Sequence, residues 1–228
     1  MKKVLRIFAV AMLIVAMLAS SVQALSFEKL DNDKIFSQET IQKENMDSWA
    51  KKEILAAQKA GIIPPMTGDP AYKANITREQ FAELVVRTVE KITDKKITAA
   101  SSDTFTDTEN PEILKAYNAK IIDGRGAGIF DPKSTATRQE IATMISRALN
   151  YIKAETGKDL APKAGSVNTF PDKNEIASWA KDGVGKLASN GIMAGKLDAK
   201  TGKTYATPLA KCTVQESILL LYRVYTLA

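Results

Sequence analysis

One short motif occurs three times and limits what this chain can fold into. It first reads Ile76-Thr77-Arg78-Glu79-Gln80-Phe81, then Ala136-Thr137-Arg138-Gln139-Glu140-Ile141, and finally, in worn form, Cys212-Thr213-Val214-Gln215-Glu216-Ser217. In each copy a Thr is followed three residues later by Gln or Glu, and then by an apolar run. This is a capping box. The Thr hydroxyl takes an orphan N–H of the first helical turn, and the Gln80, Glu140 or Glu216 side chain reaches back to the cap. Ten residues after each Thr stands an Arg: Arg87, Arg147 and Arg223. The apolar positions also superimpose, with Phe81, Leu84, Val85, Val89 and Ile92 in the first copy, Ile141, Met144, Ile145, Leu149 and Ile152 in the second, and Leu220, Leu221, Val224 and Tyr225 in the third. That spacing buries one stripe of each helix. Cap, stripe and Arg together, three times over, mark an internal repeat.

The rest of each repeat can be laid out around its box. In repeat one (47–92), Asp47 can cap a helix over 48–60 with Trp49, Ile54 and Leu55 on its inner face. Gly61 suits the left-handed position that ends a helix, and Pro64-Pro65 forbids continuation. Repeat two (105–153) opens with Phe105-Thr106-Asp107; Asn110-Pro111 then starts a short helix to about Lys120. Ile121-Ile122-Asp123-Gly124 matches Ile62-Ile63, and Lys120 stands where the first Gly would be. Repeat three (170–228) opens with Phe170-Pro171-Asp172 and predicts a first helix over about 175–190 that includes Trp179-Ala180, the echo of Trp49-Ala50. Twelve residues separate Trp49 from Gly61 and Trp179 from Gly191, about three helical turns. The linkers 93–104 and 154–169 are polar and read as exposed connectors. A lone helix–loop–helix of this size cannot bury its own stripe, whereas stacked neighbours can. The expected fold is all-α, with three helix–loop–helix repeats in a pseudo-threefold arrangement around a central three-helix bundle.

Residues 1–24 stand apart. Lys2, Lys3 and Arg6 precede a continuous apolar run from Phe8 to Ala19, and Val22-Gln23-Ala24 offers small residues for cleavage. This predicts a secretory signal peptide cut after Ala24, the alternative being an uncleaved anchor. No later segment is apolar for long enough to span a membrane. Residues 25–46 form a polar lead-in. Without the signal the chain carries 29 basic and 26 acidic residues, a net charge of +3. That falls short of a nucleic-acid binder and suits an anionic partner at a local patch.

Catalytic chemistry has little to stand on. The chain has no His and one Cys, so the commonest general base and any internal disulfide are absent. Cys212 precedes the third capping box, where a helix N-terminus favours a thiolate, and otherwise reads as a small, half-buried residue. Gly124-Arg125-Gly126-Ala127-Gly128 lacks the Lys-Ser/Thr of a phosphate loop. No metal-ligand cluster and no cofactor motif is present, so the chain is expected not to be an enzyme.

Taken together, Phe-x-Asp, Trp-Ala, Gly-Ile-Ile, Phe-x-Pro and Thr-Arg-x-Glu resemble the S-layer homology family across residues 47–228. The resemblance implies a secreted protein at the cell wall or cell surface (the S-layer). Its partner would be an anionic, often pyruvylated, secondary cell-wall polysaccharide, or peptidoglycan, bound non-covalently in grooves between repeats. Carried over residue by residue, it implies glycan-binding roles for Arg78 and Arg138, for Trp49 and Trp179 as sugar-stacking platforms, and for Asp107, Asp172, Gly124 and Gly195. A guanidinium fork pairs both oxygens of a carboxylate or ketal acid. The plainer alternatives are packing for the Trp residues, helix capping for the Asp residues, and structural roles for Arg87, Arg147 and Arg223. Departures from the pattern are Val214 in place of the third Arg, Pro65 in place of a Gly, and no Trp in repeat two. They leave open a second function, a structural or assembly protein that binds another envelope protein.

Overall fold

The computed structural model describes residues 45–228. The predicted signal peptide and nearly all of the lead-in segment lie outside the described residues. The described chain is mostly helical: α1 (Ser48–Ala60), α2 (Arg78–Thr93), α3 (Pro111–Asn118), α4 (Arg138–Thr156), α5 (Lys181–Ser189) and α6 (Val214–Thr226). Two 3-10 turns, Lys173–Glu175 and Ser178–Ala180, precede α5. A short antiparallel hairpin of β1 (Lys196–Leu197) and β2 (Thr204–Tyr205) lies between α5 and α6.

All three predicted capping boxes form. The Thr77, Thr137 and Thr213 hydroxyls accept from the N–H of Gln80, Glu140 and Glu216, and those side chains accept from the cap N–H at 3.0, 2.8 and 2.8 Å. The helices they open, α2, α4 and α6, pack on one another. Between them lie Phe81, Leu84, Ile141, Ile145, Ile218 and Leu221, all buried.

The residues just before the caps close a ring. The Ile76 N–H donates to the Cys212 carbonyl at 2.9 Å, Cys212 to Ala136 at 3.0 Å, and Ala136 back to Ile76 at 3.0 Å. All three residues are fully buried. The ring therefore satisfies backbone groups that would otherwise be costly in the interior. Cys212 is more enclosed than the half-buried residue expected. Burial pushes its thiol up to about 11, so desolvation outweighs any help from the helix N-terminus.

The first helices are arranged around this core in a cycle. Helix α3 packs on α2, α5 on α4, and α1 on α6, so the first described helix closes on the last. Each first helix thus lies on the long helix of a different repeat, which brings groups from separate repeats together.

Several sequence expectations need correction. The single helix over about 175–190 is two 3-10 turns followed by the nine-residue α5. Its glycines are used for close packing. A Cβ at Gly183 would meet the Thr143 backbone at 3.0 Å, and one at Gly185 would meet the Ser166 nitrogen at 2.8 Å. The inner face of α1 is Ala50, Ile54 and Ala57, while Trp49 and Leu55 are exposed. Asp47 occupies the N-cap position of α1 without capping it. Its carboxylate instead accepts from the Gln215 amide at 2.7 Å and pairs with Lys73. The linkers are not wholly exposed either, since Ile97, Leu160 and Ala161 are buried and pin them down. Lys120 adopts φ +56°, close to the +68° and +72° of its counterparts Gly61 and Gly191. The left-handed turn therefore survives in repeat two without its Gly.

Candidate functional site

Arg78 and Arg138 emerge from the first turns of α2 and α4, where a cation opposes the helix dipole. Burial and hydrogen bonding explain how they are held there. Each is only 5% exposed. The Arg78 Nε donates to the Phe130 carbonyl at 3.0 Å and Nη2 to the Asp123 carbonyl at 2.9 Å. Arg138 repeats this with Ala206 at 3.1 Å and Ala194 at 3.1 Å. Each guanidinium thus clips both ends of the loop of the next repeat. Arg78 also lies over the Phe130 ring at 4.5 Å. Burial and the nearby Arg125 push its guanidinium below its ordinary value. Both residues nonetheless border cavities, and Nη1 is the nitrogen that neither carbonyl engages.

The Asp and Gly residues of the motif shape the same loops. The Asp107 carboxylate accepts the N–H groups of Phe130 and Asp131 at 2.9 and 2.8 Å. Asp172 does the same for Ala206 and Thr207 at 2.9 and 2.7 Å. Neither is a helix cap, and neither borders the cavities that hold the arginines. Their partners make Asp107 and Asp172 loop anchors. A Cβ on Gly124 would meet the Ile129 carbonyl at 2.8 Å and Phe105 at 2.9 Å, and one on Gly195 the Tyr205 carbonyl at 2.6 Å. These glycines let the loop fold flat over the Phe of Phe-x-Asp while their backbone faces the cavity.

The tryptophans are not packed inside. Trp49 and Trp179 are each 56% exposed, and each borders one of the two cavities. Arg78, Gly124 and Trp179, drawn from repeats one, two and three, line a first groove of about 310 Å³. Arg138, Gly195 and Trp49, from repeats two, three and one, line a second groove of about 900 Å³. The cyclic packing of the first helices makes this permutation possible.

Four groove residues went unrecognised in the sequence. Arg125 and Lys196 follow the two glycines and pair with the capping-box carboxylates, Arg125 with Glu140 and Lys196 with Glu216, both at 2.9 Å. Burial raises both carboxyls, but the cap N–H groups and these cations outweigh it and hold them below the ordinary range. Arg147 and Arg223, expected to be structural, line the grooves as well. Arg147 pairs with Asp123 at 2.5 Å and Arg223 with Glu53 at 3.0 Å. The signal for these two arginines was available in the ten-residue offset of Arg from each Thr. The cation after Gly was hidden because Arg and Lys alternate there. The first groove has three lining cations against two anions, and the second three against one.

The third equivalent face differs throughout. Val214 stands where Arg78 and Arg138 do and is fully buried. Pro65 replaces the Gly, Met66 the following cation, and Gln80 the capping-box Glu. Thr108 stands twelve residues before Lys120, where the other two repeats have Trp, and Glu112 of α3 lines the face. The cavity of about 380 Å³ has three cations, Arg87, Lys96 and Lys115, against three anions, Glu83, Glu90 and Glu112. They neutralise one another, with Lys96 on Glu90 at 2.6 Å and Lys115 on Glu112 at 2.7 Å.

Among the described residues, no cluster of His, Cys, Asp and Glu could hold a metal, and no helix is long and apolar enough to cross a membrane.

Residues 102–142 and 169–199 match the S-layer homology domain model. Those stretches contain Asp107, Gly124, Arg138, Asp172, Trp179 and Gly195. The chain is 35% identical over 149 residues to an endoglucanase of Bacillus sp. (strain KSM-635), covering 60% of this chain and 16% of the relative. It is 30% identical over 119 residues to an amylopullulanase of Thermoanaerobacterium thermosulfurigenes, covering 50% and 6%. It is 25% identical over 195 residues to a middle cell wall protein of Brevibacillus brevis, covering 80% and 18%. The chain spans less than a fifth of the length of each of these relatives.

Proposed function

We propose that this chain is a non-catalytic cell-envelope anchor: three S-layer homology repeats in a pseudo-threefold arrangement, exported by the N-terminal signal, that hold an anionic wall glycan in two inter-repeat grooves. One observation carries the reading. An exposed Trp, a flat Gly loop and an excess of cations converge from three different repeats, and they do so twice. An indole face offers apolar contact to a sugar ring, and the cations suit a carboxylate or ketal acid on that ring. The glycan is a secondary cell-wall polysaccharide, with peptidoglycan as the other source of the same chemistry. The matched stretch also recurs in relatives whose names differ, an endoglucanase, an amylopullulanase and a cell wall protein. A segment shared by proteins of different named activity supports a targeting role over a catalytic one.

The test is co-sedimentation of the purified protein with cell-wall sacculi, before and after mild acid strips the polysaccharide and its ketals. Binding that disappears with the polysaccharide supports the reading. Binding that persists on bare peptidoglycan moves the ligand to that polymer. Absence of binding to both preparations overturns glycan anchoring. The second reading, an assembly protein contacting another envelope protein, draws on the neutralised third face, which keeps Arg87 but lacks the first-turn Arg, the Gly, the cation after it and the Trp of the other two.

A further inference from the structure

The two grooves differ in one built feature, the loop that follows the Gly. Phe130 and Ala206 are structural counterparts, because each N–H donates to the Phe-x-Asp carboxylate and each carbonyl accepts from an Arg Nε. Six residues lead from Gly124 to Phe130 and eleven from Gly195 to Ala206. With five more residues, the loop 196–205 folds as the β1–β2 hairpin, with Leu197 paired to Thr204 and Lys196 to Tyr205. Its turn is pinned, since the Asp198 carboxylate accepts from the Lys200 N–H, the Thr201 N–H and the Thr201 hydroxyl at 2.8–3.0 Å. The hairpin is therefore a preformed wall. Leu197 lines the second groove yet is 70% exposed. The lining of the first groove has no counterpart of Leu197, and Thr143 and Met144 stand there at the positions of Leu219 and Leu220.

Resting on the glycan-anchor reading, we propose that the second groove is an extended subsite that holds two consecutive sugar residues, whereas the first holds only one. The anionic residue sits among Arg138, Lys196 and Arg223, as its counterpart in the first groove sits among Arg78, Arg125 and Arg147. The next residue of the chain lies along the hairpin, its C–H face against Leu197, while Trp49 holds the anionic ring as Trp179 does in the first groove. To the groove lining the hairpin adds apolar Leu197 and no cation beyond Lys196, the counterpart of Arg125, so the added wall suits the uncharged neighbour of an anionic sugar, not a second anion. The occupant is thus an anionic sugar joined to a neutral one, and the groove of about 900 Å³ against about 310 Å³ provides the space.

The experiment is a nitrogen-15 NMR titration of the purified protein, in which the amides of Arg125 and Lys196 report the two grooves separately. Two pairs of probes distinguish the sources of the anion. One is the methyl glycoside of a 4,6-pyruvylated N-acetylhexosamine and the disaccharide ending in it. The other is N-acetylmuramic acid and its disaccharide with N-acetylglucosamine. With whichever pair binds, the disaccharide should be tighter than the monosaccharide by about tenfold at the second groove, from the added apolar burial, and by less than about threefold at the first. Leu197→Ala, a change at an exposed position, should bring the second groove's ratio down to that of the first. Equal ratios in the wild-type protein, or a ratio unmoved by Leu197→Ala, overturn the extended subsite while leaving the anchor intact. No shift at either groove with any probe overturns the anchor reading itself, and the subsite with it.

Discussion

The first two grooves and the third face share a framework and differ in what they present. All three have the capping box, the Arg ten residues on, and a place in the buried ring of Ile76, Ala136 and Cys212. The groups facing outward have changed on the third face alone, and they have changed together. Where Arg125 pairs with Glu140 and Lys196 with Glu216, the third face has Met66 and Gln80, so both charges are gone. Losing one partner alone would leave a half-buried charge unpaired, which costs more than losing both. The lesson is that framework and recognition are separable in this fold. Repeats can be held to one architecture by their caps while the surface of one of them drifts to neutrality.

The sharpest way to break this comparison is at the arginine position. Arg78→Ala and Arg138→Ala each strand two loop carbonyls that are now clipped, and should each destabilise the fold by about 3 kcal/mol. Val214→Ala at the same position leaves only a small void and should cost about 1 kcal/mol. Chemical denaturation of the three variants measures this, and equal losses would mean that the arginines are not clips. The same geometry makes these variants poor probes of binding, because the groove deforms when its loop is released. Trp49→Ala and Trp179→Ala are cleaner, since both side chains are exposed. Each should leave stability within about 0.5 kcal/mol. Each should weaken binding to sacculi by about tenfold, and the pair by about a hundredfold if the two grooves engage one polymer. Additivity well below that would show that one groove does the work.

The framework, by contrast, should respond alike in all three repeats. Thr77→Ala, Thr137→Ala and Thr213→Ala remove the same cap and should each cost about 1 kcal/mol by thermal or chemical unfolding. A much smaller loss at Thr213 would mean that the worn third copy is worn in structure as well as in surface.

How much of this was legible in the sequence follows the same division. The caps were readable because they are local: Thr, a three-residue offset and an apolar stripe are enough. The starts of α2, α4 and α6 follow from them. The course of 175–190 was not readable, because Gly183 and Gly185 answer to Thr143 and Ser166, contacts far along the chain. The grooves were half legible. Arg78 and Trp179 could be nominated singly, but their meeting depends on the cyclic exchange of first helices, which no local pattern encodes. The loop contacts of Asp107 and Asp172, in place of the helix caps weighed for them, were hidden for the same reason, as their partners lie 23 to 35 residues further along the chain. Arg125 and Lys196 escaped notice because only the charge is common to the two positions.

Acid should separate the faces more gently. Glu140 and Glu216 are held below the ordinary glutamate range. They therefore contribute stability in full above that range and lose it as pH falls through their folded-state values. Wild-type stability should decline below about pH 4.3, and Glu140→Gln with Glu216→Gln should flatten part of that decline. Gln80, already neutral, fills the same role in repeat one.

The smallest expected effect is the most exacting for the comparison. Glu112 comes from the first helix of repeat two and lines the third face, but its partner is Lys115 on the same helix. A half-exposed pair of this kind contributes little to stability. Glu112→Ala should change neither stability, beyond about 0.5 kcal/mol, nor binding to sacculi. If it weakened binding as the tryptophan variants do, the third face would be an acidic recognition site in its own right and not a drifted one. The contrast between two working grooves and one silent face would then have to be abandoned. If Glu112→Ala instead strengthened binding, the third face would be repelling the anionic polymer, and its acidic side chains would orient the module on the wall with its two grooves forward.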